Sequence, residues 1–213
     1  GVVRRAEPWE HAAAPGWMSG MVDDIYGFAM GQDAGGTYAL VNYKSGHVLQ
    51  WRIADRDGQI GLTFMRFWQV ATQPEGMMAD DRAGHVYVGE EDRGIWRYPL
   101  SPTLPAIATP IAMIPSDCLP QDDVEGLAIH DGADQRYLVA SAQGIDRAAI
   151  YALDGDAVPP CVGLVQIAPG DSIDGVSETD GLDVTSQPLG PAFPQGLLVM
   201  MDDQNAGFTI NFK

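Results

Sequence analysis

Lysine is nearly missing from this 213-residue chain, in which Lys44 and Lys213 are the only two. With arginine, the basic residues number 12 against 29 acidic ones, for a formal net charge of -17. That balance excludes nucleic acid and anionic membrane surfaces as partners, because both are bound through basic patches. Cysteine is equally scarce. Cys118 and Cys161 have neither CxxC spacing nor the CxxxxxR spacing of a thiolate phosphatase loop; they allow one disulfide at most, and two inert thiols fit as well. No apolar run approaches the ~18 to 20 residues of a membrane span. The N-terminal stretch GVVRRAEPWEHAAAPGW lacks the apolar core of a signal peptide, so any export signal is expected to lie outside this sequence. Helical periodicity of useful length and low-complexity segments are absent too, and the Pro-rich SPTLPAIATP reads as a loop rather than a linker between domains.

What the chain does contain is a repeat. IYGFAM (25–30), PEGMMA (74–79), VEGLAI (124–129) and TDGLDV (179–184) each place a polar residue before Gly and an apolar strand. Tyr26, Glu75, Glu125 and Asp180 occupy the polar position, at spacings of 49, 50 and 55 residues. Tyr38, Tyr87 and Tyr137 follow the first three by 12 residues, in second strands TYALV, VYVGE and RYLVA. Third strands are read at HVLQWRI, GIWRYPL and AAIYALD, and fourth strands at LTFMRFWQV, IAMIP and VGLVQIA. A period near fifty with four strands per repeat predicts an all-β fold, a β-propeller of four-stranded antiparallel blades. One partial propeller domain is expected over 1–213, with 1–24 as the end of a preceding blade or a connecting segment. An evenly spaced β-sandwich is the alternative, and it leaves the shared register unexplained.

Equivalent positions on successive blades sit at one height around a common axis, so Tyr26, Glu75, Glu125 and Asp180 are predicted to face one channel. Asp123, Asp174 and Glu91 in GEEDRG extend the set to six carboxylates able to reach one end of it. An all-oxygen cluster without nearby His or Cys selects a hard cation, and several flexible carboxylates suit calcium better than octahedral magnesium. The competing reading is that each acid merely caps the turn before its Gly. His11, His47, His85 and His130 never pair at metal spacing and read as surface or packing residues. Trp51, Trp96 and LLVMMDD read as core between blades, and Glu90 and Asp92 as solvated hairpin charges.

The motifs VDDIYGF, YALVNYKSG, PEGMMADDRAGHVYVGEEDRGIW, DDVEGLAIH, YLVASAQG, SETDGLDV, LGPAFPQGLLVMMDD and the terminal NFK resemble those of the β-propeller (alkaline) phytases, almost continuously over 22–213. That resemblance implies a six-bladed propeller, of which this chain covers just under four blades. It implies a calcium-dependent phosphatase that removes phosphate from myo-inositol hexakisphosphate, binds several calcium ions and is secreted or periplasmic. Residue by residue, it makes Glu75, Glu91, Asp123, Glu125 and Asp174 calcium ligands or water-positioning groups, with Asp180 beside them. Tyr26 and Lys44 would hold the scissile phosphate. Asp202 and Asn205, in MDDQN, would supply a further calcium or phosphate contact. Glu75, Glu125, Asp174, Tyr26 and Lys44 are thus the expected catalytic set. Ser45 stands where the family usually has Glu after that Lys, and the family's N-terminal phosphate-holding Lys and Arg have no counterpart here. Besides calcium phytate, the missing blades are the expected partner. A propeller lactonase or esterase, or a binding propeller without activity, are the competing functions. The absence of an RHG tripeptide and of a G-x-S-x-G elbow argues against phosphohistidine and serine-nucleophile chemistry.

Overall fold

A computed structural model of the chain describes residues 16–204, apart from 19, 23, 57, 156, 172 and 173. Among the described residues there is no α-helix, only two 3-10 turns, at Gly16–Met18 and Gln143–Ile145. The strands build three four-stranded sheets and one two-stranded sheet. The first sheet holds β1 (Ile25–Asp33), β2 (Gly36–Tyr43), β3 (His47–Arg56) and β4 (Gln59–Gln69). The second holds β5 (Pro74–Asp80), β6 (His85–Glu90), β7 (Gly94–Pro99) and β8 (Thr109–Met113). The third holds β9 (Val124–Asp131), β10 (Arg136–Ala142), β11 (Arg147–Ala152) and β12 (Cys161–Val165). In the last, β13 (Leu182–Thr185) pairs with β14 (Leu197–Met200).

Each four-stranded sheet is an antiparallel meander in chain order, as hairpin-connected strands with short polar turns dictate. The first strands of successive sheets lie side by side, β1 against β5, β5 against β9 and β9 against β13. This is the arrangement of propeller blades. Asp180 differs from its counterparts in standing two residues before its strand rather than inside it.

Packing between blades follows from strand alternation. Leu40, Val48, Met77, Val86 and Val88 fill the seam between the first and second sheets, with Tyr38 and Tyr98. Tyr87, Ile95, Leu127, Leu138 and Tyr151 fill the next seam, and Val139, Ala148 and Met200 the last. Fully buried leucines such as Leu40 and Leu138 contribute about 1.5–3 kcal/mol each. Arg66 staples the first seam at its outer side, with Nε on Gln50 Oε1 (2.7 Å), Nη1 on the Leu104 carbonyl (2.7 Å) and Nη2 on the Pro99 carbonyl. A disulfide joins Cys118, after β8, to Cys161 at the start of β12, tying the second blade to the third.

Two sequence readings change. Trp51 does not lie in a seam between the described sheets: with Phe64 and Leu49 it sits on the face of the first sheet turned away from the second. Along that face Phe28, Met30, Ile60, Leu62 and Phe67 are exposed, because no sheet of the described residues covers them. Glu90 is not a solvated hairpin charge. It is buried, its Oε1 accepts from Thr72 N (2.6 Å) and Oγ1 (3.1 Å), and Oε2 accepts from Trp96 Nε1 (2.5 Å), so hydrogen bonds replace its water shell.

Candidate active site

In the three four-stranded sheets the polar residue before the repeat Gly is lifted out of its strand by a bulge. Pairing of the first two strands slips between Ile25 and Phe28 in the first blade and between Pro74 and Met77 in the second. In the third it slips between Val124 and Leu127. A bulge bends the strand and re-aims a side chain, so Tyr26, Glu75 and Glu125 leave the in-out alternation and turn toward the axis. The Gly that follows permits a close approach of the next blade. A Cβ on Gly27 would collide with the Glu75 carbonyl, and one on Gly76 with the Glu125 carbonyl. Polar residue plus Gly is therefore one device, which aims a side chain and admits the neighbour. Tyr26, Gly27, Glu75, Gly76, Glu125 and Asp180 line a single cavity of about 270 Å³.

Carboxylate oxygens of Glu75, Glu91 and Glu125 lie within 4.8 Å of one another. Among the described residues none of the three forms an ion pair with Lys or Arg. Charges at such a separation repel by about 3 kcal/mol per pair at an effective dielectric near 20. The titration behaviour records that crowding. Burial, then the charge of Glu75, pushes Glu125 up to about 9. Burial also raises Glu75, against the pull of Gln73 and Lys44. Burial and Glu75 raise Glu91, and the carboxylate of Glu75 raises the Tyr26 phenol. A divalent cation would reverse each of these shifts, and three converging oxygens with no nitrogen or sulfur donor fit a hard ion.

On the first-blade side, Lys44 Nζ stands 4.4 Å from the centroid of the Tyr26 ring, so a cation and a phenol face the acids together. Ser45 does not reach into the cavity as an acid would; its Oγ donates to the Met21 carbonyl (3.0 Å) and contacts His47 Nδ1 (3.1 Å). Asp123, held at φ 72°, contacts Glu91 at the edge of the triad and is raised by burial and by Asp122. Asp180 lines the cavity, and its Oδ1 accepts from Gln143 Nε2 (2.5 Å).

Asp174 and Asp202 lie elsewhere, in the loops flanking β13 and β14. Asp202 Oδ1 accepts from Ser177 N (3.0 Å) and Oγ (3.1 Å), while Asp174 keeps a buried oxygen, Oδ2, without a hydrogen-bond partner. Neither belongs to the Glu75–Glu91–Glu125 group. Asn205 falls outside the described residues. Three amides escaped the sequence reading. Gln73 Nε2 donates to Glu75 Oε1 (2.5 Å), Gln143 holds Asp180, and Asn42 bridges Gly27 and Glu75. Gln73 could have been suspected, standing two residues before a repeat acid; the other two are brought in only by the fold.

Blade-like sheets whose bulges aim acids into one cavity, beside a lysine and a tyrosine, define an all-β protein with an acidic pocket whose donor set fits a hard cation. The chain belongs to the phytase family, whose model matches residues 12–213. It is 35% identical over 188 residues to the 3-phytase of Bacillus subtilis (strain 168), covering 86% of this chain and 48% of that relative. The chain thus spans about half the length of the curated relative it matches.

Proposed function

We propose that this chain carries the metal-binding half of a calcium-dependent phosphomonoester hydrolase acting on myo-inositol hexakisphosphate. The observation that carries the reading is the Glu75–Glu91–Glu125 triad, three oxygens within 4.8 Å without a basic partner, next to the Lys44–Tyr26 pair. An acid-lined cavity repels a polyphosphate unless bound cations become its dominant charges. Calcium, when bound, supplies that inversion of sign together with activation of an attacking water.

The roles of the chain's own groups follow from their placement. Glu75, Glu91 and Glu125 would hold the metal, with Asp123 and Asp180 at its margin. Asp174 and Asp202 would serve a second calcium from the loops before β13 and after β14, where the Asp174 oxygen without a hydrogen-bond partner is a ready ligand. Lys44 and Tyr26 would hold the phosphate undergoing attack, the ammonium by charge and the phenol by its hydrogen bond. Glu125, on which the charges of Glu75, Asp180 and Glu91 all bear, is the group we assign to orient water. A neutral lactone or ester has no use for Lys44, which favours phosphate over the lactonase reading.

A closed six-bladed ring belongs to the same proposal. Its support is the uncovered apolar face of the first sheet and the greater length of the relative. An oxidising, secreted or periplasmic setting is supported by the disulfide. The test is phosphate release from phytate with calcium and with chelator, on this chain and on a version extended to the length of its relative. Calcium-dependent release supports the reading, whereas a metal-independent rate, or hydrolysis of lactones but not of phytate, contradicts it.

A further inference from the structure

We propose that Asn42 is a positioning residue whose side-chain amide sets the spacing between the Tyr26–Lys44 arm and the Glu75 arm of the site, an inference that rests on the proposed function. Asn42 stands on β2 opposite the Tyr26–Gly27 bulge, between the pairs Phe28–Val41 and Ile25–Tyr43. It is fully buried. Its Oδ1 accepts from Gly27 N (2.5 Å) and its Nδ2 donates to the Glu75 carbonyl (2.6 Å). The partners dictate the amide's orientation, because a backbone N–H can only donate and a carbonyl can only accept. One side chain thus satisfies two main-chain groups that the bulge and the seam would otherwise leave buried and unpaired.

The other seams solve the same problem differently. Gly89 is the counterpart of Asn42 in the second blade, where a Cβ would meet the Val124 and Glu125 carbonyls at 3.2 and 3.4 Å, so backbone meets backbone. In the third, Gly126 N donates straight to the Asp180 carbonyl (3.0 Å), and Ser141, the counterpart of Asn42, donates its Oγ to the neighbouring Thr179 carbonyl (2.6 Å). Only the first seam separates a phosphate-holding pair from a metal-holding acid. The amide there links the residue following Tyr26 to Glu75 itself.

Calcium calorimetry and NMR of the whole chain test this, with wild type, Asn42→Ala, Asn42→Ser and a stability control, Leu49→Ala, on the opposite face of the first sheet. Asn42→Ala is expected to weaken calcium binding about tenfold and to move the Tyr26 ring and Gly27 amide resonances. Asn42→Ser, whose hydroxyl can still reach a main-chain carbonyl of the next blade as Ser141 does, is expected to restore both. Leu49→Ala should lower the melting temperature and leave calcium affinity alone. Wild-type affinity and an unmoved Tyr26 in Asn42→Ala would overturn the proposal, as would an affinity loss matched by Leu49→Ala. Should the wild-type chain bind no calcium, the metal reading fails on its own and the metal-free spectra decide. A Tyr26 shift in Asn42→Ala that Asn42→Ser reverses then supports the positioning role, and its absence overturns it. If Asn42→Ala does not fold, Asn42→Asp takes its place, since it keeps an acceptor for Gly27 but at neutral pH no donor for Glu75; a Tyr26 resonance that stays in place there overturns the role. Loss of phytate turnover is scored separately and bears on the enzyme reading.

Discussion

The two ends of the first strands carry acids in the same register and treat them in opposite ways. At one end stand Tyr26, Glu75, Glu125 and Asp180; six residues further along each strand or just past it stand Gln32, Asp81, Asp131 and Ser186. At this second end every acid has found a partner from the protein. Asp80 Oδ1 accepts from Arg136 Nη2 (2.6 Å), and Asp131 Oδ1 accepts from Arg136 Nε (2.8 Å) and Arg82 Nη1 (3.2 Å). Asp81 Oδ1 accepts from Gln32 N (2.7 Å), and Ser186 Oγ donates to the Asp131 carbonyl (2.7 Å). At the first end Glu75, Glu91 and Glu125 crowd within 4.8 Å; Glu75 accepts from the Gln73 amide, and none of the three pairs with an arginine among the described residues. Both ends have room, with cavities of about 240 and 270 Å³. Asp80 and Asp131 thus meet an arginine while Glu75, Glu91 and Glu125 do not, a difference that register and cavity size do not show.

The contrast breaks most visibly at Arg136. Arg136→Met leaves Asp80, nearly fully buried, without its cation, and should cost about 3–5 kcal/mol in urea unfolding while leaving the calcium response intact. Loss of calcium binding in that variant would mean that the two ends are not independent.

Glu125→Gln should act with the opposite sign on the metal-free chain, raising its melting temperature between about pH 4.5 and 9, because a glutamine need not take up the proton that the crowded Glu125 must bind on folding. In the extended enzyme at saturating calcium, the same change should lower kcat and kcat/KM together by about a hundredfold. Near-full turnover would make Glu125 a turn acid and move the catalytic role to Glu75 and Glu91.

A pH scan sharpens the contrast further. Glu125 is raised from its ordinary 4.5 to about 9, so the folded chain retains a proton that the unfolded chain has released between those values. The proton-linked stability of the metal-free protein is then fully present below about 4.5 and is lost as pH rises through the window to about 9. Calcium should flatten that slope, and a metal-free melting temperature that climbs from pH 5 to 9 would contradict the assignment. The smallest effect expected is that of Lys44→Met, a severalfold rise in KM for phytate with kcat little changed.

Much of this was legible in the sequence. The spacing of Tyr26, Glu75, Glu125 and Asp180 and the tyrosines 12 residues later carried the blade register, because each blade repeats one packing problem. Glu91 was legible from its hairpin. The separation of Asp174 and Asp202 from the triad was not, since their loops follow no period. Nor was the burial of Glu90, whose partners Thr72 and Trp96 come from a neighbouring loop and strand. Asn42 was hidden for the same reason: its hydrogen bonds cross between blades, and VNYK by itself reads as an ordinary strand end.

The most direct measurement is the melting temperature of this chain in calcium and in chelator, wild type beside Glu125→Gln. Ligand-linked stabilisation grows as RT ln(1 + [L]/Kd), so the wild-type transition should rise with calcium concentration, and the rise should shrink in Glu125→Gln. Superimposable wild-type curves in calcium and chelator would show that the unpartnered acids hold no metal.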